Sequence, residues 1–286
     1  MTPEALAEHP CFAESAKGRY GRLHLPTSPA CNIRCRFCIR SCNDTEDRPG
    51  VAAGIISPDE AVSIVGRALE LSPNIRVVGI AGPGDTLATP AAIEAFRQVH
   101  EAYPELIECL STNGLALPGK SEVLKKVGVK TLTVTVNAVD PEITAKIVDG
   151  IVFEGKPYEG LAAAEILISR QLRGIREAVE AGITVKINSV LIPGVNDTHI
   201  AEIAKTVAEL GASRHNIIPL IPQHKFADVP APTCEEVERA RAEAGKYLTQ
   251  FLHCAHCRAD ACGVPGETDF SAQLYSGKVL ETFSHG

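Results

Sequence analysis

Six short apolar or alternating runs, each bounded by Gly, Pro or Asn, recur along this chain: GRLHLP near 21, IRVVGIAG near 75, LIECLSTNG near 106, TLTVTVNA near 131, TVKINSVLIPG near 184 and NIIPLIP near 216. Between them lie PDEAVSIVGRALEL, PAAIEAFRQVHEAY, LAAAEILISRQLRGIREAVEAG and THIAEIAKTVAELG, whose apolar residues fall three and four apart, as in helices with one buried face. Strands that alternate with helices require right-handed crossovers and a parallel sheet. The expected fold class is therefore α/β, with six strands forming a partial (β/α) TIM-like barrel. One more helix is read over 233–251. A chain of 286 residues with 45% hydrophobic content can bury one full core. A single domain over 1–286 is expected, with its core at about 20–251 and irregular extensions at 1–19 and 252–286.

Two of the runs carry polar residues on one face only. In TLTVTVN, Thr131, Thr133, Thr135 and Asn137 alternate with Leu132, Val134 and Val136; in VKINSV, Lys186 and Asn188 oppose Val185, Ile187 and Ser189. A barrel packed only for stability is filled inside by branched apolar side chains. If the apolar faces meet the helices, the interior is polar enough to hold a ligand. The alternative is a pair of edge strands with one wet face.

The formal charge of −7 makes neither a nucleic acid nor an anionic membrane an obvious partner. No segment approaches 18 uninterrupted apolar residues, and MTPEALAEHPC lacks the basic and apolar regions of a secretory signal. A soluble, cytoplasmic protein is expected. In that setting ten cysteines point to metal ligation rather than to disulfides, because cytosolic thiols are kept reduced.

CNIRCRFC places three of those thiols, Cys31, Cys35 and Cys38, directly after the first strand, at the face where barrel enzymes put their chemistry. An iron–sulfur cluster normally takes four protein ligands; held by three, it leaves one iron free to bind a substrate or cofactor. CxxxCxxC, with the aromatic Phe37 before its last cysteine, resembles the signature of the radical S-adenosylmethionine (SAM) enzymes. Half of a zinc site and a ferredoxin-like carrier are the other readings. The resemblance implies a [4Fe–4S] cluster whose open iron is chelated by SAM, and cleavage of that SAM to a 5′-deoxyadenosyl radical. It also implies a SAM-binding loop after the second strand, where Gly82, Pro83, Gly84 and Asp85 stand. There the glycines would permit close approach and the carboxylate would pair with an ammonium. Asn113, Asn137 and Asn188 are candidates for the ribose, carboxylate or adenine, or equally strand-end caps.

Strand parity puts Ile107, Cys109, Ser111 and Asn113 on one face, and Cys254 and Cys257 form a CxxC in FLHCAHCRADACG. Several strings, in order, resemble the NifB family, which builds the precursor of the nitrogenase active-site cofactor: HPCFAESA, PACNIRCRFCIR, RPGV, GIAGPGDTLA, CLSTNGLALP, TVNAVDPE, KINSVLIPGVND and CRADACGVPGE. The resemblance implies two additional [4Fe–4S] precursor clusters, fused into an eight-iron cluster that gains a carbide from the methyl group of SAM. One SAM gives its methyl to a cluster sulfur, and a second yields the radical that removes hydrogen from it. Cys11, Cys42 and Cys109, with His24 as a nitrogen ligand, would hold one precursor; Cys254 and Cys257 would hold the other.

The implied partners are iron–sulfur cluster donor proteins, a reductant such as ferredoxin, and downstream nitrogenase cofactor carrier or scaffold proteins. The spacing from Cys38 to Cys42 is shorter than the common family form. Cys262 stands where the family has a small or apolar residue, and Cys234 opens a helix. A stand-alone form is expected, without the C-terminal carrier domain some members possess. Two rivals stay open: a radical SAM maturase that modifies a peptide and carries an auxiliary cluster, and a non-enzymatic iron–sulfur scaffold or electron carrier.

Overall fold

The structure is a computed structural model, and it describes residues 6–275; the outer ends of both extensions, 1–5 and 276–286, lie outside the described residues. Its strands, in chain order, are β1 (Gly21–His24), β2 (Ile33–Cys35), β3 (Ser41–Cys42), β4 (Val51–Ala52), β5 (Ile75–Ile80), β6 (Ile107–Thr112), β7 (Val129–Thr135), β8 (Val148–Phe153), β9 (Lys156–Glu159), β10 (Thr184–Leu191), β11 (Arg214–Pro219) and β12 (Cys262–Gly263). The main sheet runs β11-β10-β7-β6-β5-β1-β12. Its first six members are parallel, and β12 closes one edge antiparallel to β1. These six are the runs read from the sequence, curled into a partial barrel.

The helices that back the sheet are α1 (Ala61–Leu71), α2 (Ala91–Ala102), α3 (Ser121–Lys126), α4 (Pro141–Ile147), α5 (Gly160–Glu180), α6 (Ile200–Glu209) and α7 (Cys234–Ala244). Their starts are chemically specified. Asp140 accepts from the Glu142 and Ile143 amides with Pro141 in the first turn, and Thr233 and Glu236 form a reciprocal capping box before α7. The α7 helix ends at Ala244, short of the expected 251. Beyond it the chain turns and runs beside β11, where the His215 amide donates to Thr249 O and the Phe251 amide to His215 O. Pairing with the sheet edge replaces the last helical turns.

Leu132, Val134, Val136, Val185 and Ile187 pack outward with Phe96, Val99, Ile175 and Ile203 of the helices. Thr133, Thr135, Asn137, Lys186 and Asn188 face the interior. Because β7 and β10 are inner strands, the edge-strand explanation for their polar face fails.

A second layer went unread in the sequence: β2, β8 and β9 form a three-stranded antiparallel sheet. Its hairpin turns at Glu154–Gly155, both with positive φ, which is the two-residue turn that matches strand twist. Ile33, Val148, Ile151, Leu167 and Phe226 form the core beneath it.

The tail folds back onto the start of the barrel. Arg258 donates to Asp260 and to the Asn43 and Glu46 carbonyls, the Ala53 amide donates to Asp260, the His24 amide to Ala261 O, and the Tyr275 hydroxyl to His24 O at 2.6 Å. This fixes the segment 254–262 across the mouth of β1.

Away from the cavity, Glu108 on β6 is fully buried; one carboxylate oxygen faces His100 at 3.1 Å and the other has no hydrogen-bond partner. Burial pushes its pKa up to about 7, partly opposed by His100. The folded state thus holds this proton more tightly than the unfolded chain. The resulting stabilisation is full below the ordinary glutamate pKa and is lost as pH rises through about 7. Denaturant titrations should show stability falling from pH 5 to pH 8 by an upper bound of roughly 3 kcal/mol from this group. Glu108→Gln should flatten that slope.

Candidate functional site

The three-thiol loop leaves β1 at the C-terminal mouth of the barrel and is pinned from both sides. Strand β2 pairs with β8, the Arg36 amide donates to Ile147 O, the Gln223 side chain donates to Phe37 O at 2.8 Å, and Arg40 donates to Pro29 O at 2.6 Å. Cys31, Cys35 and Cys38 face one cavity with Asn113, whose amide group donates to Asn32 and lies 3.8 Å from Cys31 Sγ. Burial pushes the Cys31 thiol up to about 11, with the Asp85 charge adding to it, and raises Cys35 and Cys38 as well. Stripped of a metal, these are protonated thiols in a dry wall; a thiolate here needs a cation to sustain it.

The GPGD turn serves the protein first. A Cβ on Gly84 would stand 2.1 Å from the Ala30 carbonyl oxygen, so only glycine allows this turn to press against the strand end that leads into Cys31. The Gly84 amide donates to Ser28 O, and the Asp85 amide to Ala30 O. Gly84 and Asp85 line the cavity; Gly82, with φ +122°, lies outside that lining.

Asp85, expected to pair with a SAM ammonium, is engaged by the protein's own donors. Its carboxylate is buried and accepts from the Asn113 amide at 2.6 Å, the Leu87 amide at 3.0 Å and the Thr112 hydroxyl at 2.9 and 3.1 Å. Asp85 thus locks the ends of β5 and β6 together, and burial raises its pKa despite those donors. Asn137 and Asn188 also face the cavity, each already in use as an acceptor: Asn137 Oδ1 takes the Val190 amide, and Asn188 Oδ1 takes the Asn216 side chain.

Deeper in the same cavity stand Cys11, His24, Cys109, Cys254 and Cys257. His24 Nδ1 lies 2.9 Å from the Arg258 carbonyl oxygen, which can only accept, so Nδ1 carries the proton and Nε2 keeps a lone pair. Burial lowers its pKa to about 4, which keeps the ring neutral at pH 7. This is the state of a metal-ligating histidine held by an outer hydrogen bond. His9, which also faces the cavity, differs. Its Nδ1 accepts from the Cys11 amide at 3.1 Å and its Nε2 meets the Thr131 hydroxyl at 3.2 Å, so both nitrogens are used.

Cys42 is not brought to this group. It lies buried in the short parallel ladder β3–β4, against the Arg258–Asp260 pair, and is absent from the cavity wall. Pairing of Ser41–Cys42 with Val51–Ala52 holds it in that ladder instead. Cys262 is buried in β12 against the outer core, and Cys234 is exposed at the start of α7. Among the described residues, no three Cys, His, Asp or Glu side chains converge as one metal ion demands. Three thiols on one loop facing one cavity are a donor set that fits an iron–sulfur cluster.

Sequence reading placed Thr133 and Thr135 on the interior face and missed Arg22, Gln171 and Asn216 as cavity residues. Arg22 shares the face of His24 by simple strand parity, and that signal was present in GRLH.

A partial parallel barrel with three inward thiols on the loop after its first strand defines a radical SAM enzyme, and residues 25–207 match the radical SAM superfamily. The FeMo cofactor biosynthesis protein NifB of Methanocaldococcus infernus is 46% identical over 278 residues, covering 96% of this chain and 92% of its own. That of Methanocaldococcus jannaschii is 43% identical over 286 residues, covering 97% and 95%. The crystal structure of Streptococcus suis SuiB matches 89% of this chain and 51% of its own, with a TM-score of 0.60 at 14% identity, which speaks to the fold alone. The chain belongs to the NifB family, and it is a radical SAM enzyme of FeMo-cofactor biosynthesis. With the family come a [4Fe–4S] cluster and SAM, and both the peptide-maturase and the non-enzymatic readings are set aside. Among the described residues, no helix is long and apolar enough to cross a membrane.

Asp85→Asn would set an amide N–H2 against backbone donors that now meet carboxylate oxygens. It should cost the metal-free protein about 1–3 kcal/mol in urea unfolding. An unchanged midpoint would mean that Asp85 does not brace the two loops.

Proposed function

We propose that this enzyme fuses two [4Fe–4S] clusters and inserts a SAM-derived carbide to make the eight-iron precursor of the nitrogenase cofactor. The supporting observation is that one continuous cavity is lined both by Cys31, Cys35 and Cys38 and by Cys11, His24, Cys109, Cys254 and Cys257. Cys31, Cys35 and Cys38 would hold the resident cluster. When bound, that cluster and SAM supply a methyl group and a carbon-centred radical.

The chain's own residues do the rest. Cys11, Cys109 and His24 grip one cargo cluster, and Cys254 and Cys257 grip the other. These mixed and incomplete sets suit a cargo that must leave, since a full ring of thiolates would hold it too firmly. Asn113, Asn137, Asn188 and the backbone at Gly84 orient SAM between the two ends of the cavity, while Asp85 keeps Asn113 in place through its amide. Reacting carbons must come within about 3–3.5 Å of each other, which demands this rigidity. Cluster donor proteins, a reductant such as ferredoxin and a downstream carrier or scaffold protein would complete the cycle, and the cytoplasm would supply them.

Anaerobic reconstitution should load about twelve irons per chain, from three four-iron clusters. Turnover with SAM and reductant should then release both S-adenosylhomocysteine and 5′-deoxyadenosine. Four irons only would defeat the cluster-building reading and leave the superfamily intact. Cys35→Ala should abolish SAM cleavage. Cys109→Ala should retain cleavage yet yield no eight-iron product; equal loss in both would show that Cys109 serves the SAM end instead.

A further inference from the structure

Two cations are buried in the deep half of the cavity, and among the described residues neither forms an ion pair with a carboxylate. Lys186, on β10, is 5% exposed. Its ammonium donates to Cys11 O at 3.0 Å and sits between the rings of Phe12 and Phe251, 4.9 and 5.0 Å from their centroids. Arg22, on β1, is also 5% exposed. It donates to Gly263 O at 2.8 Å and to Cys257 Sγ at 3.0 Å, while its Nε finds no partner.

A buried charge is normally paired, because removing it from water costs several kcal/mol unless an opposite charge is close. Aromatic faces and carbonyl oxygens offset part of that cost; they do not neutralise it. What these cations do face is the cargo site: Arg22 touches Cys257 Sγ, and Lys186, anchored on the Cys11 carbonyl, lines the same cavity as the Cys11 and Cys109 thiols. Arg22 therefore borders both halves of the cargo site, in contact with Cys257 on one side and sharing a strand face with His24 on the other.

We infer that Arg22 and Lys186 are the built-in counter-cations of an anionic, thiolate-ligated cluster cargo. Lys186 serves the Cys11–Cys109 side, and Arg22 is shared between the two sides, so that two clusters of like charge can be brought together. The inference rests on the cluster-fusing reading. Both residues are positioning residues: neither needs to ligate iron or move a proton. What they supply is fixed positive charge in a low-dielectric wall, where it acts far more strongly than at a surface. Two negatively charged clusters approaching in that medium would otherwise repel each other at the moment of fusion.

Full-length Lys186→Met and Arg22→Met, with Lys186→Arg and Arg22→Lys as charge-keeping controls, test this. In the metal-free protein, replacing a lone buried cation by an apolar side chain of similar length should leave thermal stability equal or raised. Loaded anaerobically, the Met variants should lose cargo iron to a chelator at least ~10-fold faster than the wild type, as truncating one member of a buried charge pair implies. EPR-monitored titration should also place the midpoint potential of the remaining auxiliary cluster lower, since reduction adds negative charge with less compensation. The charge-keeping variants should restore both readouts.

If the wild type loads about twelve irons and the Met variants match it in chelator resistance and potential, the inference fails and the cluster-fusing reading stands. A wild type that loads only four irons removes the reading on which both rest. Loss of metal-free stability in the Met variants would mark the cations as structural and also overturn the inference.

Discussion

Alternation along six parallel strands makes one sheet do two jobs. On β7 and β10, Leu132, Val134, Val185 and Ile187 alternate with polar residues and pack on the helices, so the residues between them have no choice but to face inward. An eight-stranded barrel would close on such an interior and fill it. With six strands the curl stays open, and the polar faces line a cavity that reaches from the mouth, where Cys31, Cys35 and Cys38 stand, down to Cys11 and Cys109. Cavity residues on the strands, such as His24, Cys109 and Lys186, inherit their depth and direction from that period of two.

Closing the gap falls to segments outside the barrel repeat. The N-terminal segment inserts Cys11 and Phe12, held by Lys186 and Arg214 through carbonyl oxygens. The tail brings Cys254 and Cys257, held by Arg258 and Asp260 to the loop after β3. A short antiparallel sheet, β2-β8-β9, backs the three-thiol loop. The extensions bring cysteines into the cavity because they form part of its wall, and those cysteines have defined positions because the extensions are hydrogen-bonded to the barrel.

Charge inside this container is unbalanced in a consistent direction. Burial pushes the Cys11 and Cys109 thiols toward protonation, His24 is kept neutral with one nitrogen free, and among the described residues the buried Arg22 and Lys186 form no ion pair with a carboxylate. Such an interior is costly alone and suited to an anionic, metal-bearing guest, whose binding releases thiol protons and supplies the missing negative charge. The protein's own fold supplies the cations, and the guest supplies the anion.

Much of this was legible in the residues themselves. The strand and helix periods, the polar faces of β7 and β10 and the three-thiol loop are local patterns, set by residues within a few positions of one another. So is the parity that puts Cys109 with Asn113. The roles of Asp85 and Cys42 were not legible. GPGD reads alike whether its carboxylate meets a ligand or the Thr112 hydroxyl and the Asn113 backbone amide, and a cysteine four residues past a cluster loop reads alike in a cavity or in a β-ladder. The β8–β9 hairpin escaped because its Glu-Gly turn lacks the usual Asn or Asp signal. The sequence alone determined which residues face inward, since side-chain alternation is a property of one strand. Only the tertiary structure decided which inward residues are spent on one another and which remain free, because hydrogen bonds and ion pairs between distant segments exist only once those segments are packed together.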